Sequence, residues 1–207
     1  MATTRIQVCN IALAHLGVST QIGSITERSA EGKAMALFYE DAVDEFFRDY
    51  DFPFSGKKRA FALVTEKGDD DHADDNYSYS YRYPADCLKV RRVDSSVRTD
   101  YRKSRWSYDL RNDDQGVLIL TDKESAVFEF TSTEARNPAR WHFDIAMAIS
   151  YRLAAYTAPI LTKGDPFKIG QVSLGFFRMA NNKARANASN EVQSDEEPDS
   201  EQILSRA

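Results

Sequence analysis

Apolar positions recur at helical spacing near both ends of the chain and at strand spacing between them. Ile6, Cys9, Leu13 and Leu16 follow one another at intervals of three and four, which predicts a helix over about 4–17, with Thr3 or Thr4 as N-cap and Gly17 as the stop. A second helix is predicted over about 29–50. Met35, Phe38, Ala42 and Phe46 form its stripe, widened by Tyr39, Val43 and Phe47; Glu31 suits the first turn, and Pro53 forbids continuation. The link over 18–28 is short and polar, so these two helices are expected as an antiparallel hairpin.

Between about 77 and 131 the period falls to two. Tyr77, Tyr79, Tyr81 and Tyr83 alternate with Ser78, Ser80 and Arg82, placing four tyrosines on one face of a strand that Pro84 ends. A short strand over 59–64 precedes it and a less regular one over 87–93 follows. In 105–111, Trp106, Tyr108 and Leu110 share a face expected to be buried, which would make Trp106→Ala cost roughly 3–5 kcal/mol. Asn112-Asp113-Asp114-Gln115-Gly116 is turn chemistry, and the apolar run Val117–Leu120 and the alternation around Ala126, Phe128 and Phe130 complete an antiparallel meander.

Helical periodicity then returns, with an Asx-Pro start at Asn137-Pro138 and another at Asp165-Pro166. They predict a helix over about 138–158, closed by Pro159 and facing inward through Trp141, Ile145, Ile149, Leu153 and Tyr156, and one over about 166–188 with an apolar stripe of Ile169, Val172, Phe176 and Met179 at three-four-three spacing. The expected fold is therefore α+β, a four-helix bundle with a central antiparallel β meander, in a single domain over 1–188. Residues 189–207 are too polar to pack and are expected to be a disordered acidic tail in isolation.

Composition changes this picture in two ways. No run reaches the ~18–20 apolar residues of a membrane span, and Met1-Ala2-Thr3-Thr4-Arg5 leads straight into an amphipathic pattern where a secretory signal would carry an apolar stretch. Cys9 and Cys87 fall within apolar patterns and read as buried free thiols of a reducing compartment. The net charge of −5 is unevenly spread: 66–75 carries six acids against one lysine, 88–111 eight bases against three acids, and 189–207 six acids against one arginine. Such blocks mark surfaces that meet other macromolecules, or solvated loops.

Candidate chemistry is sparse. The acidic run Asp69-Asp70-Asp71-His72-Ala73-Asp74-Asp75 lacks the glycine and the glutamate that an EF-hand needs at its sixth and twelfth positions, so it reads as a solvated loop. His15, His72 and His142 are scattered, with no zinc spacing, phosphate loop or nucleophile elbow. No catalytic residue, metal or cofactor is expected. The segment 88–111 mixes bases with Trp106 and Tyr108 and could grip a phosphate backbone, although strict alternation fits a strand with a buried aromatic face better.

Four stretches, in order, resemble the podovirus-type head-to-tail adaptor family, often called tail tubular protein A. They are Val8-Cys9-Asn10-Ile11-Ala12-Leu13-Ala14-His15-Leu16-Gly17; Ser29-Ala30-Glu31 leading to Leu37-Phe38-Tyr39 and on to Phe52-Pro53-Phe54; Tyr83-Pro84-Ala85-Asp86-Cys87-Leu88-Lys89-Val90, with Tyr83 where the family has leucine; and Val117-Leu118-Ile119-Leu120-Thr121-Asp122 before an Ala- and Leu-rich helix. The resemblance covers about 5–185 and implies a virion protein of the tail or neck, assembled in the host cytoplasm. It would form a homo-oligomeric ring, commonly dodecameric, between the portal protein and the tail nozzle or tail tube, through which genomic DNA passes without sequence recognition. No membrane anchor is implied. A nucleic-acid-binding module using 88–111 and a tail-associated hydrolase are the alternative readings.

On this reading the portal contact is expected on the last helix and the tail, through Lys168, Arg178, Lys183, Arg185, Asp195, Glu196, Glu197, Ile203 and Leu204. A basic face of Arg98, Arg102, Lys103, Arg105 and Arg111 is expected to meet a neighbouring subunit or the nozzle.

Overall fold

The computed structural model describes residues 3–70, 76–94 and 105–191. It is α+β, with four α-helices and eight antiparallel strands among those residues: α1 (Arg5–His15), α2 (Ala30–Asp49), α3 (Phe143–Leu161) and α4 (Pro166–Asn190), with β1 (Gly56–Ala60), β2 (Leu63–Glu66), β3 (Tyr79–Arg82), β4 (Cys87–Asp94), β5 (Arg105–Trp106), β6 (Asp109–Asp113), β7 (Gly116–Thr121) and β8 (Val127–Ser132) between the second and third helices. The span read as one domain holds two compact units, a helical one from the two ends of the chain and a β unit over Gly56–Ser132.

In the helical unit, α1 begins with a capping box: Thr4 Oγ1 accepts from Gln7 N while Gln7 Oε1 accepts from Thr4 N, and Gly17 at φ +72° ends the turn. Ser29 caps α2 by accepting from Gly32 N. The link between these helices is held by Asn10, whose side chain accepts from Ile22 N (2.9 Å) and donates to Ile22 O (3.1 Å), as a strand partner would. Helix α3 packs on each of the other three helices, and α1 and α2 meet mainly through it. Its interior face is the predicted one, with Ile145, Ile149 and Leu153 buried. Phe46, Phe47, Phe52 and Phe54 form an aromatic cluster at the exit of α2, closed by Trp141 at 5.9 Å from Phe47.

Two predicted helix boundaries differ. Asn137-Pro138 starts only a single 3-10 turn, Pro138–Arg140, and α3 begins at Phe143 after His142. Pro159 does not close α3, which runs on to Leu161. A proline near a helix C-terminus forfeits one hydrogen bond but still permits a last turn.

The strands lie in two four-stranded sheets, not in one meander, in the orders β1-β8-β4-β5 and β2-β3-β7-β6. The chain changes sheet after β1, β3, β5 and β7, with a hairpin after each of the first three changes. Between the sheets lies one core, built from Phe61, Tyr81, Val90, Val93, Ile119, Ala126, Phe128 and Phe130 with Tyr79, Tyr83 and Tyr108 against it. The tyrosine face predicted from alternation is therefore the core face. Tyr81 Oη is satisfied there, donating to Lys123 O and accepting from Ala126 N. The predicted strand 59–64 is two strands, because Phe61 turns inward between the sheets and stacks on Phe128 at 4.4 Å. The irregular look of 87–93 corresponds to two breaks in the register of β4 against β8. The predicted strand over 105–111 also divides, β5 pairing with β4 and β6 with β7. Only Tyr108 of its aromatic face packs inward; Trp106 is 39% exposed and Leu110 47%. The premise for a large Trp106→Ala penalty is thus overturned.

Candidate functional site

Asp165 starts α4 by accepting from Lys168 N at 3.0 Å, with Pro166 at the first helical position, as the sequence predicts. The face that α4 turns to α3 is not the apolar stripe. Buried along it are Ser173, Asn181, Ala184 and Ala188, and Gly170 lies against α3, where a Cβ would be in van der Waals contact at 3.4 Å from Ala155 O and 3.6 Å from Ala158 Cβ. Small residues let the two helix axes come together, and that close approach decides the orientation. The apolar stripe consequently faces out, with Val172 at 52%, Phe176 at 47% and Met179 at 70% exposure; Ile169 is half-buried.

Phe176 is supported from beneath. Its ring lies 5.5 Å from that of Tyr151, which stacks on His15 at 3.9 Å. His15 Nε2 is 3.1 Å from Ser150 Oγ, and burial lowers the His15 pKa, so the imidazole stays neutral within the stack. His15, at the end of α1, thus has a packing role.

Of the four basic residues assigned to α4, Lys168, Arg178 and Lys183 are exposed and have no ion-pair partner among the described residues. Arg185 is committed: it pairs with Asp49 and its guanidinium lies 5.4 Å from the Tyr50 ring centre. Asp195, Glu196, Glu197, Ile203 and Leu204 lie outside the described residues, as does the chain from 192 onward. A hollow of about 470 Å³ beside the start of α3 sets Lys183 near Asp144 and Glu191, a mixed-charge lining.

The outer face of α2 is the acidic counterpart. Leu37 is 63% exposed, and Asp41, one turn on, is exposed with no ion-pair partner among the described residues. Asp41, Asp44, Glu45 and Asp49 surround Arg48 at an open hollow of about 590 Å³. Asp44 receives a two-pronged bond from Arg136, Nε and Nη2 each at 2.6 Å, and Glu45 is held by Arg152 and Tyr156. Burial and the Glu45 bond both raise the Tyr156 pKa, keeping it a donor.

The basic segment of the β unit is less available than its composition suggests. Arg92 pairs with Glu129 at 2.5 Å, Arg91 donates to Thr131 Oγ1 at 3.0 Å and lies 3.8 Å from the same carboxylate, and Lys58 is 3.5 Å from it. Glu129, on a central strand, thus gathers two of the segment's bases together with Lys58 of β1. Arg111 is exposed and lies 3.5 Å from Asp109, while Arg98, Arg102 and Lys103 lie outside the described residues and Arg105 is described only by its backbone in β5. Asp69 accepts from Glu66 N, and 71–75 also lie outside. Among the described residues no group of three or more His, Cys, Asp or Glu could hold a metal ion, and no helix is long and apolar enough to cross a membrane. The candidate site is therefore a pair of outward helix faces, apolar and basic on α4, acidic on α2. Compared with models of known families and with curated proteins, the chain matches none.

Proposed function

We propose that this chain is a structural adaptor of a phage virion, a ring-forming subunit that joins the portal to the tail tube or nozzle and lines the DNA exit channel. What carries the reading is the ordered resemblance of four segments, and each of them falls at a point that organises the fold. The first holds Asn10, the clamp of the α1–α2 link. The second begins at the Ser29 cap and ends in the aromatic cluster at Phe52 and Phe54. The third enters β4, and the fourth is β7. The outward apolar and charged faces of α4 and α2 suit a subunit whose work is assembly.

Electron cryomicroscopy of purified particles tests it. Density for this chain in a ring directly beneath the portal is the expected result. Particles that carry the portal and tail but lack this chain overturn the proposal.

A further inference from the structure

We infer that the outer face of α4 in one copy of this chain docks on the outer face of α2 in a second copy, so that copies associate head to tail. The inference rests on the ring reading above and names the surfaces that would build it. Val172, Phe176 and Met179 form a line along α4 about 10 Å long at 1.5 Å per residue, opposite the small residues that pack on α3. Lys168 and Lys183 flank that line, about 22 Å apart on the same rise, and neither has an ion-pair partner among the described residues.

The charges decide which surface can cover this one. Two α4 faces packed antiparallel would set Lys168 against Lys183; packed parallel, each lysine would meet its own counterpart. The line itself carries no acid, so α4 against α4 is repulsive in either direction. The covering surface must be apolar at its centre and acidic around it. The outer face of α2 offers that pairing at one turn, with Leu37 at 63% exposure and Asp41, without an ion-pair partner among the described residues, one turn on; the carboxylates beyond it, Asp44, Glu45 and Asp49, are already held by Arg136, Arg152 and Arg185. The two faces are unlike. Each copy therefore offers one donor face and one acceptor face, and contacts propagate until rotation closes them. One helix-on-helix contact falls short of the ~800 Å² per partner of a standard interface, so a pair is weak, and a closed ring gains from giving every copy two contacts.

Sedimentation of the full chain tests the pairing by charge reversal. One variant carries Lys168→Glu with Lys183→Glu; the other carries Asp41→Lys. All three substitutions are on exposed side chains, and circular dichroism checks that the variants are folded. The wild-type chain is expected to associate with rising concentration. Each variant alone should raise the dissociation constant about tenfold or more, and an equimolar mixture of the two should recover association in alternation, since each α4–α2 contact between unlike variants again joins opposite charges. Variants that associate like the wild type overturn the docking while the ring reading stands. Recovery by mixing the lysine variant with wild type as fully as with Asp41→Lys would place α4 against α4 and also overturn it. A wild-type chain that stays monomeric to ~100 μM, with assembled particles lacking its ring, removes both.

Discussion

Three glycines in helices of the same unit offer a controlled test of the packing described for α2 and α4. Replacing a helical glycine by alanine gains at most ~1 kcal/mol from backbone propensity, so differences among sites report what the new methyl meets. At Gly175 a Cβ meets nothing within 4 Å, and Gly175→Ala should stabilise by about 0.5–1 kcal/mol. At Gly170 the methyl makes ordinary contact, 3.4 Å from Ala155 O and 3.6 Å from Ala158 Cβ, so most of that gain should survive. At Gly32 it would sit 2.6 Å from the carbonyl oxygen of Glu27, a main-chain atom. Glu27 is itself tied back, its carboxylate accepting from Gly23 N at 3.0 Å. Relieving the overlap must move backbone and disturb the Ser29 cap on Gly32 N. Overpacking costs about 1–3 kcal/mol and a weakened cap up to ~1, so Gly32→Ala should be net destabilising by about 1–2 kcal/mol. Urea unfolding followed by helical circular dichroism, with midpoints compared at constant slope, measures all three. A Gly32→Ala protein as stable as Gly175→Ala would refute the reasoning, because it would mean that the Glu27 turn yields freely.

Other outcomes follow from single contacts. Glu129→Gln leaves Arg91, whose side chain is 6% exposed, beside a neutral partner; the cost should be about 2–4 kcal/mol, read as a lower urea midpoint. The two bonds from Arg82 push the Asp113 carboxyl down to about 2. A depressed folded pKa stabilises above the unfolded value and the effect fades as pH falls from about 4 towards 2, so Arg82→Gln should move the Asp113 carboxyl titration, followed by NMR, back up. Burial pushes the Cys9 thiol up to about 12 and also raises that of Cys87. Both should resist Ellman's reagent at pH 8 in the folded chain and react in urea, and stability should decline as pH rises above about 9, where only the unfolded thiols ionise. Trp106→Ala, with the ring 39% exposed and Lys123 at 5.7 Å from its centre, should cost about 1–2 kcal/mol by denaturant midpoint.

Local signals in this sequence are read well wherever the residues concerned bury their own pattern. The α2 stripe, the tyrosine face and the Asp165-Pro166 start are of this kind, since chain-neighbour chemistry alone determines them. Where two patterns share one element, local signals leave open which of them packs inward. Helix α4 carries an apolar line, Val172–Phe176–Met179, and a small-residue line, Gly170–Ser173–Ala184–Ala188, and hydrophobicity favours the first. Close axial approach to α3 selects the second, and the small residues at helical spacing were the signal that could have shown it. The sheet changes escaped for a related reason. A two-residue period continues through 105–111 although the pairing partner changes at 107–108, and nothing in an alternating pattern records which strand lies alongside. Acids on the outer face of a helix carry no signal of their own in the sequence; the exposure of Leu37 beside Asp41 gives that face a candidate role.

The pairing of β1 with β8 also bears on kinetics. Gly56 and Thr131 are register partners, so the excursion over Gly56–Ser132 begins and ends on adjacent strands. The helical unit cannot form until residues on either side of that excursion, of about 77 residues, come together. From an unfolded loop, closure costs on the order of 4 kcal/mol by (3/2)RT ln n, before any constant term. A β unit that folds first has already met that cost, and α2 and α3 are then joined by what amounts to a short linker. On a ribosome, α1 and α2 emerge early but must wait for α3, and the β unit in between is the piece able to fold while they wait. A slow β unit would therefore hold up helix packing, and a variant that speeds β1–β8 closure would speed the assembly of helices it never touches.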